Sequence, residues 1–448
     1  MQEPILRVGI LSAPKIKFEL NGDFILSGHT DLFSGVFSAE IKENKIVING
    51  NGKKIIFDQT VTMQPNEPET EFFTLRDVMI GVRFHWERLE KQSFKGSLQL
   101  IIDGAKITAI NLITAEEYLM SVISSEMSSK STLDLLKAHA VISRSWTFAQ
   151  IEKAKILQLT EKEQHPQTAT EDEIIRWYDR EDHTLFDVCA DDHCQRYQGI
   201  TKIFTDISKQ AVQETRGLVL MFDDTICDTR FSKSCGGISE YFENLWEPVH
   251  YPYLIPVIDY KYEPDNFNFD FTKESNAEKW IKGNPPSFCN TTDKIILSQI
   301  LLDYDQETTD FYRWKVHYTQ EEVTNLLKEK LGIDFGDVVD FIPIERGASA
   351  RLIKLKIIGT KKTVTIGKEL EIRRALSKTH LYSSAIIFEK KEPLVDGVPS
   401  GFILHGAGWG HGAGLCQIGA AVMAAMGYRF DEILLHYYKN AIMKKIYS

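Results

Sequence analysis

The sequence predicts an α+β fold: a β-rich N-terminal part, a mixed catalytic core with a buried helical pair, and an inserted mixed segment. Three observations predict it. Residues 1–113 are short alternating apolar runs, among them RVGILSA, KIKFEL, DFILSG and KIVING, broken by Gly, Asn and Asp. Residues 117–150, EYLMSVISSEMSSKSTLDLLKAHAVISRSWTFAQ, switch to helical spacing. Strand-like runs return over 346–390 in ARLIKLKIIGT, TVTIG and SAIIFEK. With 448 residues there is material for roughly two or three domains with full cores. The divisions fall at 1–113, 114–260, 261–345 and 346–448, the last completing the core.

In chain order, SLQLIIDG and KITAINLI predict a hairpin about Asp103-Gly104. Two helices then occupy 115–151, and Ser131 is placed to cap the second. That helix is apolar nearly all round, with Leu133, Leu136 and Ala140 on one side and Leu135, Ile142 and Trp146 on another, so it is predicted buried. Residues 152–182 are polar and read as an exposed loop with at most a short helix. Residues 183–260 return to strands and turns. The segment 261–345 contains a helix over 320–331, QEEVTNLLKEKL. From 405 the chain reads HGAGWGHGAGLCQIG, a tight loop expected to enter a helix near Leu415, and then a short helix in FDEILLHYYKN.

A net charge of −11 and a pI near 5.6 argue against nucleic acid or an anionic membrane as partner, while leaving a neutral polymer such as a polysaccharide open. MQEPILRVGI has neither the basic nor the apolar region of a secretory signal, and no transmembrane segment is predicted. These readings predict a cytoplasmic chain or one trimmed at its start. Six cysteines are too few for a disulfide scaffold of this length, and only Cys189 and Cys194 lie close together. No H-E-x-x-H, G-x-S-x-G or Walker A pattern occurs, and GWGHGAG does not match G-x-G-x-x-G, so a dinucleotide site is not expected.

The chemistry starts from Glu126. It follows Leu119, Val122 and Ile123 at helical spacing, which puts a carboxylate on an apolar face. One reading is a buried ion pair, with Arg144 or Lys137 as partner. The other is an acid at the wall of a cleft, where burial beside Ile123, Val122 and Met127 would raise its pKa and let it hold a proton. Arg144 is itself a charge in an apolar stripe, between Val141 and Phe148, and needs a carboxylate or a ligand. His183, Cys189, His193 and Cys194 place four soft or borderline ligands within twelve residues, the number and type for tetrahedral zinc. Four protein ligands leave no open position, so such an ion would be structural. In the loop at 405–419, His405 and His411 titrate in a useful range, Trp409 offers a stacking surface, and the following helix N-terminus can hold an anion or hydroxyls. SCGGIS at 234–239 reads as a turn or a second wall of the same cleft.

These motifs together resemble the SpoIID/LytB family, which includes stage II sporulation protein D and the amidase enhancer LytB. The matching pieces are EEYLMSVISSEM (116–127), KAHAVISRSW (137–146), DDHCQRYQG (191–199), FSKSCGGISE (231–240) and GWGHGAGLCQIGAAVMAAMGYRFDEILLHYY (408–438). ARLIKLKIIG (350–359), EIRRAL (371–376), RVGI and SLQLIIDG are similar too. The resemblance implies a lytic transglycosylase that cuts MurNAc–GlcNAc bonds of peptide-free peptidoglycan strands, leaving 1,6-anhydroMurNAc ends, alongside a cell-wall amidase. It places the catalytic acid/base on Glu126 and Zn2+ on His183, Cys189, His193 and Cys194. By membership of the motifs, Arg144, Gln195, Ser234, His411 and Gln417 are candidates for holding the sugar or stabilising the transition state. The family implies action in the cell envelope or outside the cell. His139 and Trp146 stand where it more often has Gln and Tyr, and 161–175 and 261–345 read as lineage-specific. Two other readings remain: a non-catalytic glycan-binding enhancer of an N-acetylmuramoyl-L-alanine amidase, and a zinc hydrolase using 183–194.

Overall fold

The computed structural model describes residues 2–80, 88–128, 130–159, 168–177, 183–191, 193–202, 206–300 and 308–448. Part of the polar segment 152–182 that the sequence reads as a loop, residues 160–167 and 178–182, lies outside the described residues, as do 301–307. The fold is α+β, with several sheets and, among the described residues, no closed barrel.

The alternating N-terminal runs form one eleven-stranded sheet. KIKFEL and DFILSG merge into a single strand, Lys15–Leu26, that turns Ile16, Phe18, Leu20, Phe24 and Leu26 into the core. Its pairing register shifts between Leu20 and Phe24, which absorbs the Asn-Gly-Asp interruption without changing the buried face. The hairpin forms as expected: Ser97–Asp103 pairs with Lys106–Thr114, and Gly104 takes the left-handed conformation the turn needs (φ 58°). One strand of this sheet comes from much later in the chain. Val188–Cys189 lies parallel to Val8–Gly9, and a Cβ at residue 9 would sit 2.5 Å from the Phe186 ring. Glycine thus admits the segment that carries the Cys/His cluster to the sheet edge.

Helix α1, Ala115–Glu126, follows the Lys106–Thr114 strand without a break, and the Thr114 side chain accepts from the Glu117 N–H. Helix α2 spans Leu133–Leu159. Thr132, not Ser131, accepts from its first turn, at Leu135 N–H (3.4 Å); Ser131 donates to the Gln299 carbonyl instead. The helix also continues through 152–159, where polarity suggested a loop. Lys, Ala, Leu and Gln there are good helix formers, and propensity carries the helix past the point where its apolar stripe ends. Helix α3, Asp206–Glu214, packs against both.

The predicted inserted segment contains α4 (Glu274–Lys282), α5 (Lys294–Leu297) and α6 (Gln320–Leu331). The last is closed by a Thr319/Glu322 capping box and by Gly332 in the left-handed conformation. A five-stranded sheet follows the order Thr168–Ala169, Glu173–Ile175, Thr363–Gly367, Leu352–Gly359, Val338–Arg346. Helix α7, Glu369–Ala375, comes directly after one of its strands. The chain ends in α8 (Gln417–Ala425) and α9 (Phe430–Tyr437). Leu415–Cys416, expected to open a helix, instead pairs in parallel with Phe231–Ser232, and α8 starts two residues later. No helix among the described residues is long and apolar enough to cross a membrane.

Candidate active site

Helix α1 buries Leu119, Val122 and Ile123, the face on which Glu126 lies. It stops at Glu126 because Met127 is extended (φ −119°, ψ 149°) while still donating its N–H to Ile123. Glu126 is therefore a last-turn residue, half-buried, with its carboxylate at the edge of the helix. One carboxylate oxygen accepts the Arg196 N–H at 2.9 Å. Neither cation offered by sequence is its partner. Arg144 is fully buried and grips Glu116 through two hydrogen bonds of 3.0 and 2.7 Å, and Lys137 pairs with Glu214.

A cleft of about 270 Å³ opens at Glu126. Trp146 and Phe231 supply aromatic wall, and His193 and Cys194 bring in the Cys/His loop. The remaining lining includes Arg230, Trp246, Glu369, Arg373 and His411. Arg230 is held by Asp228 (2.7 Å) and lies 4.7 Å from the Trp246 ring centre. Arg373 is fixed by the Leu381 carbonyl (2.6 Å), with Glu369 at 3.6 Å. His411 accepts the Ala413 N–H at Nδ1 (3.1 Å), and burial, followed by the nearby Arg230, Arg373 and Arg351 charges, pushes its pKa well below the usual imidazole range. It is therefore neutral near pH 7, with its proton on Nε2 as a donor. An acid, cations, a neutral donor and flat aromatic faces in one cleft suit a sugar polymer.

The four predicted metal ligands do converge. His183, Cys189, His193 and Cys194 each offer an atom, all within 4.8 Å of one another. Cys194 Sγ lies 3.4 Å from His183 Nε2 and 3.5 Å from His193 Nδ1. Hydrogen bonding from Cys194, and then from the two histidines, draws the Cys189 thiol far below its ordinary pKa despite burial. Two thiolates and two imidazoles at this spacing fit a tetrahedral ion. The loop beyond is anchored on three sides. Gln195 donates to Ser143 O (3.2 Å) and Thr147 Oγ1 (3.1 Å) on α2, Tyr197 donates to Asn111, and Gln198 N–H donates to Ser121 Oγ on α1 (3.2 Å). The Arg196 N–H that meets Glu126 is fixed between these anchors.

Several residues expected to touch substrate are placed elsewhere. Arg144 belongs to the Glu116 pair. Gln195 is 1% exposed and spent on α2. Ser234 is buried in a backbone bridge with Trp409. Gln417 sits 3.2 Å from His139 Nε2 and 3.9 Å from the Met127 sulfur. Trp409 stacks on Tyr382 at 3.9 Å, so its face is covered. His405 pairs with Glu389 (2.9 Å). Of the sugar-holding candidates, only His411 lines the cleft. Arg230, Trp246, Glu369 and Arg373 line it instead; of these only Arg373 lies inside a motif, EIRRAL, and the one other hint is that Arg230 directly precedes FSKSCGG.

Residues 103–222, which carry Glu126 and the whole Cys/His cluster, match the family described as stage II sporulation protein, SpoIID. Residues 240–414, which supply Trp246, Glu369, Arg373 and His411, match a domain of unknown function, DUF8618. The cleft lies where the two matched regions meet. An uncharacterized protein of Brachyspira hyodysenteriae is 25% identical over 347 residues, 78% of this chain and 71% of that protein. The amidase enhancer of Bacillus subtilis is 23% identical over 244 residues, 53% of this chain and 32% of the enhancer, so the match spans about a third of that protein. Over residues 103–222 the chain is thus similar to the stage II sporulation protein family, and over about half of its length to an amidase enhancer.

Proposed function

We propose that this protein is a peptidoglycan lytic transglycosylase with Glu126 as its general acid/base. The SpoIID match and the amidase-enhancer relative support a cell-wall role, and the reading carries the cell envelope with it as the proposed place of action. The observation that carries the finer reading is Glu126 itself, a carboxylate oriented by a backbone N–H at the wall of an aromatic-lined cleft. Protonated Glu126 donates to the oxygen between MurNAc and GlcNAc. The C6 hydroxyl of the same muramic acid attacks the oxocarbenium-like carbon, and Glu126 accepts its proton, closing a 1,6-anhydro ring. One carboxylate suffices because no water enters, unlike the paired carboxylates of ordinary glycosidases. Arg230 and Arg373 line the cleft where they can meet sugar hydroxyls or the muramic carboxylate.

Zinc on His183, Cys189, His193 and Cys194 would lock the loop that presents the Arg196 N–H. Its contribution is to hold geometry, and the residues around it handle the proton. The test is digestion of peptide-free glycan strands by wild type and Glu126→Gln, with mass spectrometry of the products. Anhydro-ended fragments from wild type and none from the variant are expected. Hydrated reducing ends would instead make Glu369, the other carboxylate in the cleft, the candidate for activating water.

The name of the Bacillus subtilis relative favours a second reading, a glycan-binding enhancer of an amidase. It predicts that Glu126→Gln stimulates a cell-wall amidase as well as wild type does and that neither protein shortens the strands.

A further inference from the structure

Three of the four cysteines outside the Cys/His cluster lie together. Cys235 follows the Phe231–Ser232 strand, Cys289 lies between α4 and α5, and Cys416 immediately precedes α8. Together with Asp259 they place one ligand atom each within 4.8 Å of one another. All four are at most 3% exposed, and none of the cysteines is in a disulfide. We infer that Cys235, Asp259, Cys289 and Cys416 form a second, structural zinc site in the interior.

The geometry suits a tetrahedral ion. Cys235 Sγ and Cys289 Sγ are 3.8 Å apart. Zinc–sulfur bonds of about 2.3 Å at a tetrahedral angle put two sulfurs about 3.8 Å apart. Three thiolates and a carboxylate form a soft, closed donor set of the kind zinc takes in structural sites. The surroundings orient the ligands as outer-shell partners do. Asp259 Oδ2 accepts from Cys289 N–H (2.8 Å) and Ser287 Oγ (2.9 Å), and its Oδ1 accepts from Tyr437 (2.6 Å). Cys416 Sγ accepts the Cys235 N–H at 3.2 Å. A Cβ at Gly419 would come within 2.3 Å of both Asp259 Oδ1 and the Tyr437 hydroxyl, so glycine keeps this pocket open.

Charge points the same way. Among the described residues, no Lys, Arg or His forms an ion pair with Asp259. A fully buried carboxylate needs a proton or a cation. Zinc binding would displace the three thiol protons and leave excess negative charge. Two guanidinium groups, buried Arg351 and half-buried Arg313, stand near enough to offset it: Arg351 donates to the Cys235 carbonyl and Arg313 to the Gly236 carbonyl, both at 3.1 Å. The ion would fasten the 235–289 stretch to the start of α8. It would thereby brace the paired strands Phe231–Ser232 and Leu415–Cys416, the first of which carries a cleft residue. The inference does not depend on the glycan-cleaving reading, because metal content is measured without substrate.

The test is metal analysis of the full chain purified without chelator, with zinc-edge X-ray absorption of the same sample. Two zinc ions per chain are expected, sharing five thiolates, for an average of about 2.5 sulfur neighbours per ion. Cys289→Ser is expected to remove one ion, and Cys194→Ser the other. Equal zinc in wild type and folded Cys289→Ser would overturn the inference. Should that variant fail to fold, the wild-type spectrum decides, since an average of two sulfurs per zinc, or a Cys235–Cys289 disulfide in peptide mapping, refutes it.

Discussion

Helix α1 carries Glu116 in its first turn and Glu126 in its last, and their fates differ. Glu116 is 3% exposed and saturated: two hydrogen bonds from Arg144, one from Gly217 N–H (3.2 Å) and one from the Tyr447 hydroxyl. Glu126 stands at a cleft wall, oriented by the Arg196 N–H. The helix is the same and the residue type is the same. What separates structure from chemistry is where the carboxylate sits: Glu116 is buried beneath Arg144, whereas Glu126 lines a cleft that a substrate can enter.

The largest expected effect breaks the comparison at its functional end. Glu126→Gln keeps size and hydrogen-bonding capacity but cannot exchange the proton, so glycan cleavage should fall by about 10²–10⁴-fold. Thermal unfolding should stay within about 0.5 kcal/mol of wild type, as for a surface change. A variant that cleaves normally would return Glu126 to the structural class. At the other end, Glu116→Ala strands the Arg144 guanidinium in the interior and should cost about 3–5 kcal/mol in urea unfolding. Replacing both partners by apolar residues, as in Glu116→Leu with Arg144→Met, should recover much of that loss. No recovery would mean that the pair does more than satisfy its own charges.

A third expectation concerns pH. Burial lowers the pKa of His139 to about 4. It stays neutral in the fold, accepting at Nε2 from Gln417 (3.2 Å), whereas the unfolded chain takes up a proton near the ordinary value of about 6.5. Between those values the unfolded state binds more protons, so stability is full above about pH 6.5 and falls as pH drops toward 4, by roughly 3 kcal/mol. Gln at this position should flatten that part of the stability profile, measured as urea midpoints across the window. An unchanged slope would assign the acid sensitivity to other groups, such as the buried His436.

How much of this was legible depends on how local the determinant is. The N-terminal strands, the Asp103-Gly104 hairpin and α6 follow from patterns a few residues long, and the structure has them there. Glu126 and the Cys/His cluster stood out because their cues are also short-range. The Glu116–Arg144 pair did not, because 28 residues separate the partners and spacing alone cannot say which of the three carboxylates on α1 faces the arginine. Cys235 and Cys416 are 181 residues apart, and no spacing rule reaches that far. The same applies to Arg230, Trp246 and Glu369, which become a wall only when two distant parts of the chain meet. The glycine-rich loop from 405 predicts a helix starting near Leu415; pairing with Phe231–Ser232 takes Leu415 and Cys416 into a strand first.

The smallest expected effect sharpens the comparison most, because it separates holding a substrate from holding a catalytic group. Motif membership placed Gln195 on the sugar; its amide is instead bonded to α2, one residue before the N–H that orients Glu126. Gln195→Ala should therefore cost about 1–3 kcal/mol of stability, the worth of the two hydrogen bonds its buried amide makes. It should lower kcat severalfold, because the Arg196 N–H loses one of its anchors, and leave KM unchanged. A residue that held sugar would raise KM instead. The direction of that split shows whether the loop acts on the glycan or on the acid at the end of α1.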